Sequence, residues 1–213
     1  MAVTPDPPPP DPPPTDPPPT DPPPTDPLQG APVGRGAPAG PLRVVPAGRV
    51  EVARVVRLVE SAYRGEASRR GWTTEADLVG GRRTDEVAVG GLVDEPATTV
   101  LVAFDGPALV GCCALTDRPG RPARLSMLAV EPDRQGGGVG RALLEAAVRR
   151  AGEVLGARAV DLAVLAPRPE LRAWYARRGF VETGRTEPFP YGDERFGLPV
   201  RDDLVFVVLE RPC

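Results

Sequence analysis

Four glycines within five positions, at 136, 137, 138 and 140, separate an apolar segment from an amphipathic one. The segment before them, 123–130, has the pattern of a strand and leads into Pro132. The segment after them, 139–151, has apolar residues every three or four positions, which predicts a helix. The small residues leave the backbone open beside the unpaired N–H groups of the first helical turn. Such a loop is an anion site, and we expect a pyrophosphate there.

The glycine loop does not fit the dinucleotide-binding fingerprint G-x-G-x-x-G. The glycines at 136 and 138 would need a third at position 141, which is Arg141, and three predicted strands already precede the loop. NAD and FAD are therefore poor candidates. The alternative that stays open is structural, in which the glycines only tighten the connection between a strand and a helix.

The first 40 residues differ in composition from the rest. Of the 30 prolines, 15 lie within the first 27 residues, where a D-P-P-P-T unit repeats every five residues. Proline at this density fixes φ and removes backbone donors, so the segment favours polyproline II and cannot form a core. We predict a disordered, acidic, proline-rich tail over residues 1–40 and one domain over residues 41–213. The tail is either a spacer or a ligand that docks a partner.

Missing residue types exclude several mechanisms. The chain has no His and no Lys, which excludes Ser-His-Asp and Cys-His catalysis, imidazole metal ligands and Schiff-base chemistry. Cys112, Cys113 and Cys213 fit neither a disulfide framework nor a metal site, and we predict no metal. Five of the 29 acidic residues lie in the repeat, and outside it 26 Arg and 24 acids give a charge near +2, too close to neutral for a general nucleic-acid binder. No apolar run could span a membrane. We expect a cytoplasmic chain that binds neither nucleic acid nor membrane.

The hydrophobic period changes along residues 41–213 in the manner of a mixed α/β domain. The last two predicted strands are joined by a long connection, and such connections often border a binding site. The predicted order is a strand at 42–45, helices at 52–63, near Thr74 and at 85–94, strands at 98–104, 108–115 and 123–130, a helix at 139–151, a strand at 159–165, a helix at 171–178, and strands at 180–184 and 204–209.

Two motifs flank the predicted strand at 159–165. The first is Leu128-x-Val130-x-Pro132 followed by Gln135-x-x-Gly138-x-Gly140, and the second is Tyr175-x-x-x-Gly179-Phe180 at the end of a helix. The first resembles the acyl-CoA-binding motif R/Q-x-x-G-x-G/A of the GNAT superfamily of acetyl-CoA-dependent N-acetyltransferases, and the second is similar to that family's Y-x-x-x-G-F. The resemblance implies an α/β (α+β) fold with a mixed, mostly antiparallel central sheet flanked by helices. Strands near 125–130 and 159–165 would diverge to admit acetyl-CoA.

The resemblance also implies which residues bind acetyl-CoA. The pantetheine arm would lie along the backbone of the strand before the loop, and the loop amides would hold the pyrophosphate. Arg141 would add charge, although it is open whether Arg141 is only a solvated helix residue. The family often has an Asn that contacts the cofactor seven residues before the motif tyrosine. This chain has Arg168 at that position, so no cofactor contact is expected from it. The expected binding set is Leu128, Ala129, Val130, Gln135, Gly136, Gly137, Gly138, Val139, Gly140 and Arg141.

Tyr175 is the residue expected to perform chemistry. A hydroxyl with a pKa near ~10 stays protonated at neutral pH and can donate a proton to the departing thiolate of CoA. The resemblance implies this general-acid role. The alternative is a core tyrosine, because Leu171, Trp174, Tyr175 and Arg178 have the spacing of one helix face.

A second catalytic group must accept the proton of the attacking amine. Without His the candidates are carboxylates, and Glu75 is the one proposed, with a first-turn helix acid as the alternative. The resemblance implies direct acetyl transfer to a small-molecule, amino-acid or peptide amine. The rival function is a non-catalytic acyl-CoA-binding module whose tail docks a partner, and whether the chain forms a homodimer is open. Weaker candidates for the acceptor site lie in the two variable connections: Trp72, Arg82, Arg83, Phe189 and Tyr191.

Overall fold

The computed structural model describes residues 41–213, so the predicted tail lies outside the described residues. In this part of the chain no helix has the length and apolarity needed to cross a membrane. The helices are α1 (Val52–Tyr63), α2 (Gly65–Ser68), α3 (Glu86–Asp94), α4 (Val139–Glu153) and α5 (Pro169–Ala176), and the strands are β1 (Arg43–Pro46), β2 (Val79–Gly80), β3 (Thr98–Asp105), β4 (Ala108–Thr116), β5 (Ala123–Val130), β6 (Ala159–Leu165), β7 (Val181–Pro188), β8 (Leu198–Pro199) and β9 (Val205–Pro212).

Seven strands form the central sheet in the order β1-β3-β4-β5-β6-β9-β7. Within this sheet only the pairing of β5 with β6 is parallel, and the other neighbours are antiparallel. Residues of α1 and α3 pack on one face, over Val100, Val102 and Cys112, whereas α4 and Tyr175 of α5 pack on the other. This alternation follows from the two-residue period of a strand. The expected fold class is therefore confirmed.

The central sheet opens between β5 and β6. The two strands pair only at Ala123 with Val160 and at Arg124 with Asp161, after which they diverge. Beyond that point β5 contains Met127, which has φ of 53°, and the β4–β5 register shifts between residues 112 and 114. A bulge of this kind bends the strand and increases its twist. The predicted divergence of the two strands is thus present.

A buried carboxylate lies at the point where the strands separate. The side chain of Asp161 is 1% exposed and is 2.5 Å from Arg118, 3.1 Å from Arg124 and 3.7 Å from Arg185. A buried charge is stable only when it is paired, and here residues from the β4–β5 turn, β5 and β7 converge on one acid. Asp161 therefore links these three segments at the end where β5 and β6 are still paired.

One predicted helix is wrong. Thr74 does not begin a helix: the carbonyl of Glu75 accepts the N–H groups of Leu78 and Val79, which makes a single turn, and α2 lies earlier in the chain. The turn ends because Val79 is buried and pairs with Pro199, so β2 and β8 form a second, two-stranded sheet that the sequence pattern did not indicate. Tertiary pairing here overrides the local helix signal.

Candidate functional site

A cavity of about 440 Å³ lies where β5 separates from β6, between the glycine loop and α5. Aromatic side chains and arginines line it, together with backbone of the glycine loop. Its lining residues are Tyr63, Trp72, Thr73, Leu128, Val130, Gln135, Gly136, Gly138, Gly140, Arg141, Glu170, Leu171, Trp174, Tyr175, Arg177 and Arg178.

The glycine loop presents unpaired donors at one end of this cavity. The N–H groups of residues 136–138 have no hydrogen-bond acceptor within residues 41–213, and α4 starts at Val139, so its first N–H groups lack intrahelical partners. Gly136 and Gly138 have φ of 81° and 89°, and a Cβ on either would meet nothing within 4 Å. Glycine at these positions therefore gives the left-handed backbone and leaves space above it. The positive end of α4 makes this an anion site.

Tyr63, at the end of α1, contacts the diverging strand. Its hydroxyl donates a short hydrogen bond to the carbonyl of Leu128, next to the bulge at Met127. Burial, with a contribution from Glu75, raises the pKa of Tyr63 above its ordinary value, so this hydroxyl stays a donor. The bond fixes one backbone group of β5 on the cavity wall.

The face of α5 that bears Tyr175 forms the opposite wall. Tyr175 is 7% exposed and its ring packs edge-on against Trp174 and Phe180. Its hydroxyl has no hydrogen-bond partner among the described residues, although the side chain lines the cavity. Burial raises the pKa of Tyr175 above its ordinary value. Tyr175 thus contributes to the cavity a protonated hydroxyl that has no hydrogen-bond partner within residues 41–213.

Residues 71–74, the strap, lie between the two walls of the cavity and close it. On one side Gln135 of the glycine loop accepts the N–H of Trp72 at 2.9 Å and donates to the Thr73 hydroxyl at 2.8 Å. A Cβ at position 71 would lie 2.7 Å from the Gln135 amide, so a larger residue there would displace this side chain from its hydrogen bonds. On the other side Arg168, which is 5% exposed, donates to the carbonyls of the strap.

The Arg168 guanidinium contacts three consecutive carbonyls. The distances are 3.1 Å to Trp72, 3.3 Å to Thr73 and 2.9 Å to Thr74, and Glu170 is its carboxylate partner. A planar fork with five donors suits such a set of acceptors, which an ammonium group does not match. Arg168 therefore positions the strap from the start of α5, where it does not line the cavity itself.

Removing the Arg168 contacts should loosen the strap. We expect Arg168→Met to speed native-state tryptic cleavage at the exposed pair Arg69 and Arg70 by about tenfold or more, because each lost bond to a charged donor is worth roughly 1.5–3 kcal/mol. Arg172→Met is the matched control, since Arg172 also lies on α5 but is paired with Glu182. Equal cleavage rates in the two variants would show that Arg168 does not hold the strap.

Glu75 lies in a cluster of charges beside the strap. Its carboxylate is 2.8 Å from Nη1 of the buried Arg64 and 3.9 Å from Nε of Arg83, and its side chain is 16% exposed. The Arg83 guanidinium lies 5.6 Å from the ring centre of Tyr63. No helix follows Glu75, so the alternative of a first-turn helix acid is wrong. The acid is close to the cavity but does not line it.

The structure brings most of the predicted site residues together. Of the acetyl-CoA set, Ala129, Gly137 and Val139 do not line the cavity, and the side chains of Ala129 and Val139 pack into the two cores. Of the acceptor candidates only Trp72 lines it. Arg82 borders a separate depression near α3, Phe189 packs with Val79, Leu165 and Leu204 in a small core, and the Tyr191 hydroxyl bonds to the backbone of Arg201 and Leu204.

Several lining residues were not predicted. Leu171, Trp174 and Arg178 share the helix face of Tyr175, and this spacing was the signal that could have identified them. Arg177 follows α5, and Glu170 lies in its first turn. Tyr63 and Thr73 had no comparable signal, because tertiary packing alone brings them to β5 and Gln135.

Comparison with known proteins identifies a family and a shared fold. The sequence model of the acetyltransferase (GNAT) family matches residues 56–180, more than half of the chain. A mycothiol acetyltransferase from Propionibacterium freudenreichii subsp. shermanii is 37% identical over 89 residues, which are 40% of this chain and 28% of that protein. The chain thus aligns with less than a third of that relative's length.

Solved structures share the fold. The ribosomal-protein-S18-alanine N-acetyltransferase from Escherichia coli superposes with a TM-score of 0.60 at 17% identity, covering 81% of this chain and 94% of that one. A point mutant of spermidine N-acetyltransferase from Vibrio cholerae gives a TM-score of 0.59 at 16% identity, covering 80% and 93%. At these identities the likeness concerns the fold alone.

Proposed function

The chain belongs to the acetyltransferase (GNAT) family, and we propose that it moves an acetyl group from acetyl-CoA to a primary amine by direct transfer. One observation carries the proposal: a single cavity extends from the unpaired amides of the glycine loop to the uncommitted hydroxyl of Tyr175. The anion site suits the pyrophosphate of acetyl-CoA, and the proton donor suits the thioester at the other end of the same molecule.

The residues present fit acetyl-CoA. The amides of residues 136–141 would bind the pyrophosphate, and Arg141, in the first turn of α4, would add a positive charge. The backbone of residues 128–130 would contact the pantetheine arm on the part of β5 that β6 leaves unpaired. Gln135 would hold the loop through the hydrogen bond it donates to the Val130 carbonyl at 3.1 Å.

In the proposed reaction the amine nitrogen attacks the thioester carbonyl, the C–S bond breaks, and Tyr175 donates its hydroxyl proton to the departing sulfur, so that CoA is released as its thiol. Tyr175 would then regain a proton from water, and no covalent acyl-enzyme would form. Because burial keeps the pKa of Tyr175 high, the hydroxyl is protonated throughout the neutral range. Glu75 would accept the proton that the attacking nitrogen releases, directly or through water.

The role of Glu75 can be separated from its pairing with Arg64. We expect Glu75→Gln to lower kcat by about a hundredfold, the contribution of a general base. If Glu75 only neutralises the buried Arg64, the double variant Glu75→Gln/Arg64→Met removes both charges and restores turnover. If Glu75 is the base, the double variant stays as slow as the single one. Circular dichroism and thermal unfolding of each variant check that the fold is retained.

The amine that accepts the acetyl group is identified by experiment. The similar proteins are named after molecules as different as mycothiol, spermidine and a ribosomal-protein alanine. We therefore propose to test the full chain with acetyl-CoA and a panel of spermidine, peptides with N-terminal alanine, amino acids and amino sugars, measuring CoA thiol release and the mass of the product. An acetylated amine supports the enzyme. Binding of acetyl-CoA with no turnover on any amine would favour the non-catalytic module.

A further inference from the structure

Three arginines border the cavity at the side of α4 and the end of α5. Arg141, Arg177 and Arg178 all line it, and within residues 41–213 none of them forms a salt bridge with a carboxylate. The nearby arginines are paired: Arg168 with Glu170, Arg172 with Glu182, and Arg211 with Glu145. Among the described residues, the arginines that line the cavity thus have no carboxylate partner, and they lie together on this side of it.

Arg178 is held against the wall of the cavity. Its guanidinium lies 3.6 Å from the ring centre of Trp174, and its Nη1 donates to the Trp174 carbonyl at 2.8 Å. Its Nε is buried without a hydrogen-bond partner. Burial, together with the neighbouring Arg177 and Arg141, lowers the pKa of Arg178. Three guanidinium groups that line one side of a cavity without a carboxylate partner favour the binding of an anion there.

The glycine loop already accounts for one anion. Its amides and Arg141 suit the pyrophosphate of acetyl-CoA, as proposed above. Arg177 and Arg178 lie at the end of α5, and the pyrophosphate on the glycine loop does not account for their two positive charges. CoA carries one further anionic group, the 3′-phosphate of its ribose, which is a monoester with nearly two negative charges at neutral pH.

We infer that Arg177 and Arg178 bind the 3′-phosphate of CoA, so that the chain selects CoA thioesters over those of dephospho-CoA and phosphopantetheine. This inference rests on the proposed use of acetyl-CoA and adds a donor specificity to it. A guanidinium matches phosphate oxygens with two parallel donors, and Arg178 is already oriented by Trp174.

Calorimetric titration of the full chain with CoA and with dephospho-CoA, at one ionic strength, tests the inference. We expect the wild type to bind CoA at least about tenfold more tightly, because each hydrogen bond between charged groups contributes about that factor. Arg177→Gln and Arg178→Gln should each weaken CoA binding by about tenfold while leaving dephospho-CoA nearly unaffected. Arg149→Gln, which removes an exposed arginine of α4 outside the cavity, should leave both affinities unchanged.

The outcomes separate this inference from the proposed function. Equal wild-type affinities for the two nucleotides, or an unchanged ratio in both arginine variants, would overturn the 3′-phosphate assignment while leaving the use of acetyl-CoA intact. An Arg149→Gln effect as large as that of Arg178→Gln would also overturn it, since general charge would then explain the preference. Failure of both nucleotides to bind would overturn the proposed function as well.

Discussion

Replacement of Gly138 by Glu is expected to reduce acetyl-CoA affinity by about a hundredfold or more. The new carboxylate would stand directly above the loop amides, in the open space where the pyrophosphate is proposed to bind, and would repel it while covering its donors. The substitution also places a side chain at φ of 89°, which costs roughly 1 to 2 kcal/mol. Calorimetry measures the affinity, and thermal unfolding measures the stability.

A matched control separates the strain from the charge. Gly156, in the exposed connection between α4 and β6, has φ of 63° and an equally open Cβ position, but it does not line the cavity. Gly156→Glu should therefore lose similar stability and keep its acetyl-CoA affinity. If Gly138→Glu binds acetyl-CoA as tightly as this control does, the glycine loop is only a structural turn.

The second large effect is on turnover. We expect Tyr175→Phe to lower kcat by about 10² to 10³-fold, the range for loss of a positioned general acid, with the Kd of acetyl-CoA nearly unchanged. The binding should survive because the hydroxyl has no protein partner, so its removal leaves no buried group unsatisfied. Tyr191→Phe is the control, since that hydroxyl bonds only to backbone outside the cavity. Unchanged kcat in Tyr175→Phe would remove this residue from the mechanism.

The pH dependence gives an independent check on Tyr175. A general acid acts while protonated, so its contribution is lost as the pH rises through its pKa. Because burial raises the pKa of Tyr175 above the ordinary value near ~10, this loss should not occur at any pH below about 10. A fall in kcat between about pH 8 and 9 that disappears in Tyr175→Phe would contradict the assigned protonation state.

Local patterns predicted the central part of the site. The strand 123–130 and the start of the helix at Val139 lie where the hydrophobic period placed them, and the glycines between them need no distant partner to form the loop. Tyr175 was identified in a different way, through the resemblance of Tyr175-x-x-x-Gly179-Phe180 to the family's second motif, and its side chain lines the cavity. These signals are encoded within a few residues of one another.

The rest of the site depends on contacts that are distant in sequence. Tyr63 reaches the Leu128 carbonyl across 65 positions, and Arg168 reaches the strap carbonyls across about 95. Arg168 stands where the resemblance suggested a cofactor contact, and it positions backbone instead. The helix expected near Thr74 failed for the same reason, since the partner that ends its turn, Pro199, is far along the chain. The hydrophobic period of a single segment carries no information about such distant pairings.

The most direct test of the account is a crystal structure of the full chain with CoA. We expect the pyrophosphate on the amides of residues 136–141, the pantetheine arm along β5 where it leaves β6, and the sulfur within hydrogen-bond distance of the Tyr175 hydroxyl. CoA bound elsewhere, or bound in the cavity with its sulfur directed away from Tyr175, would contradict the proposed mechanism.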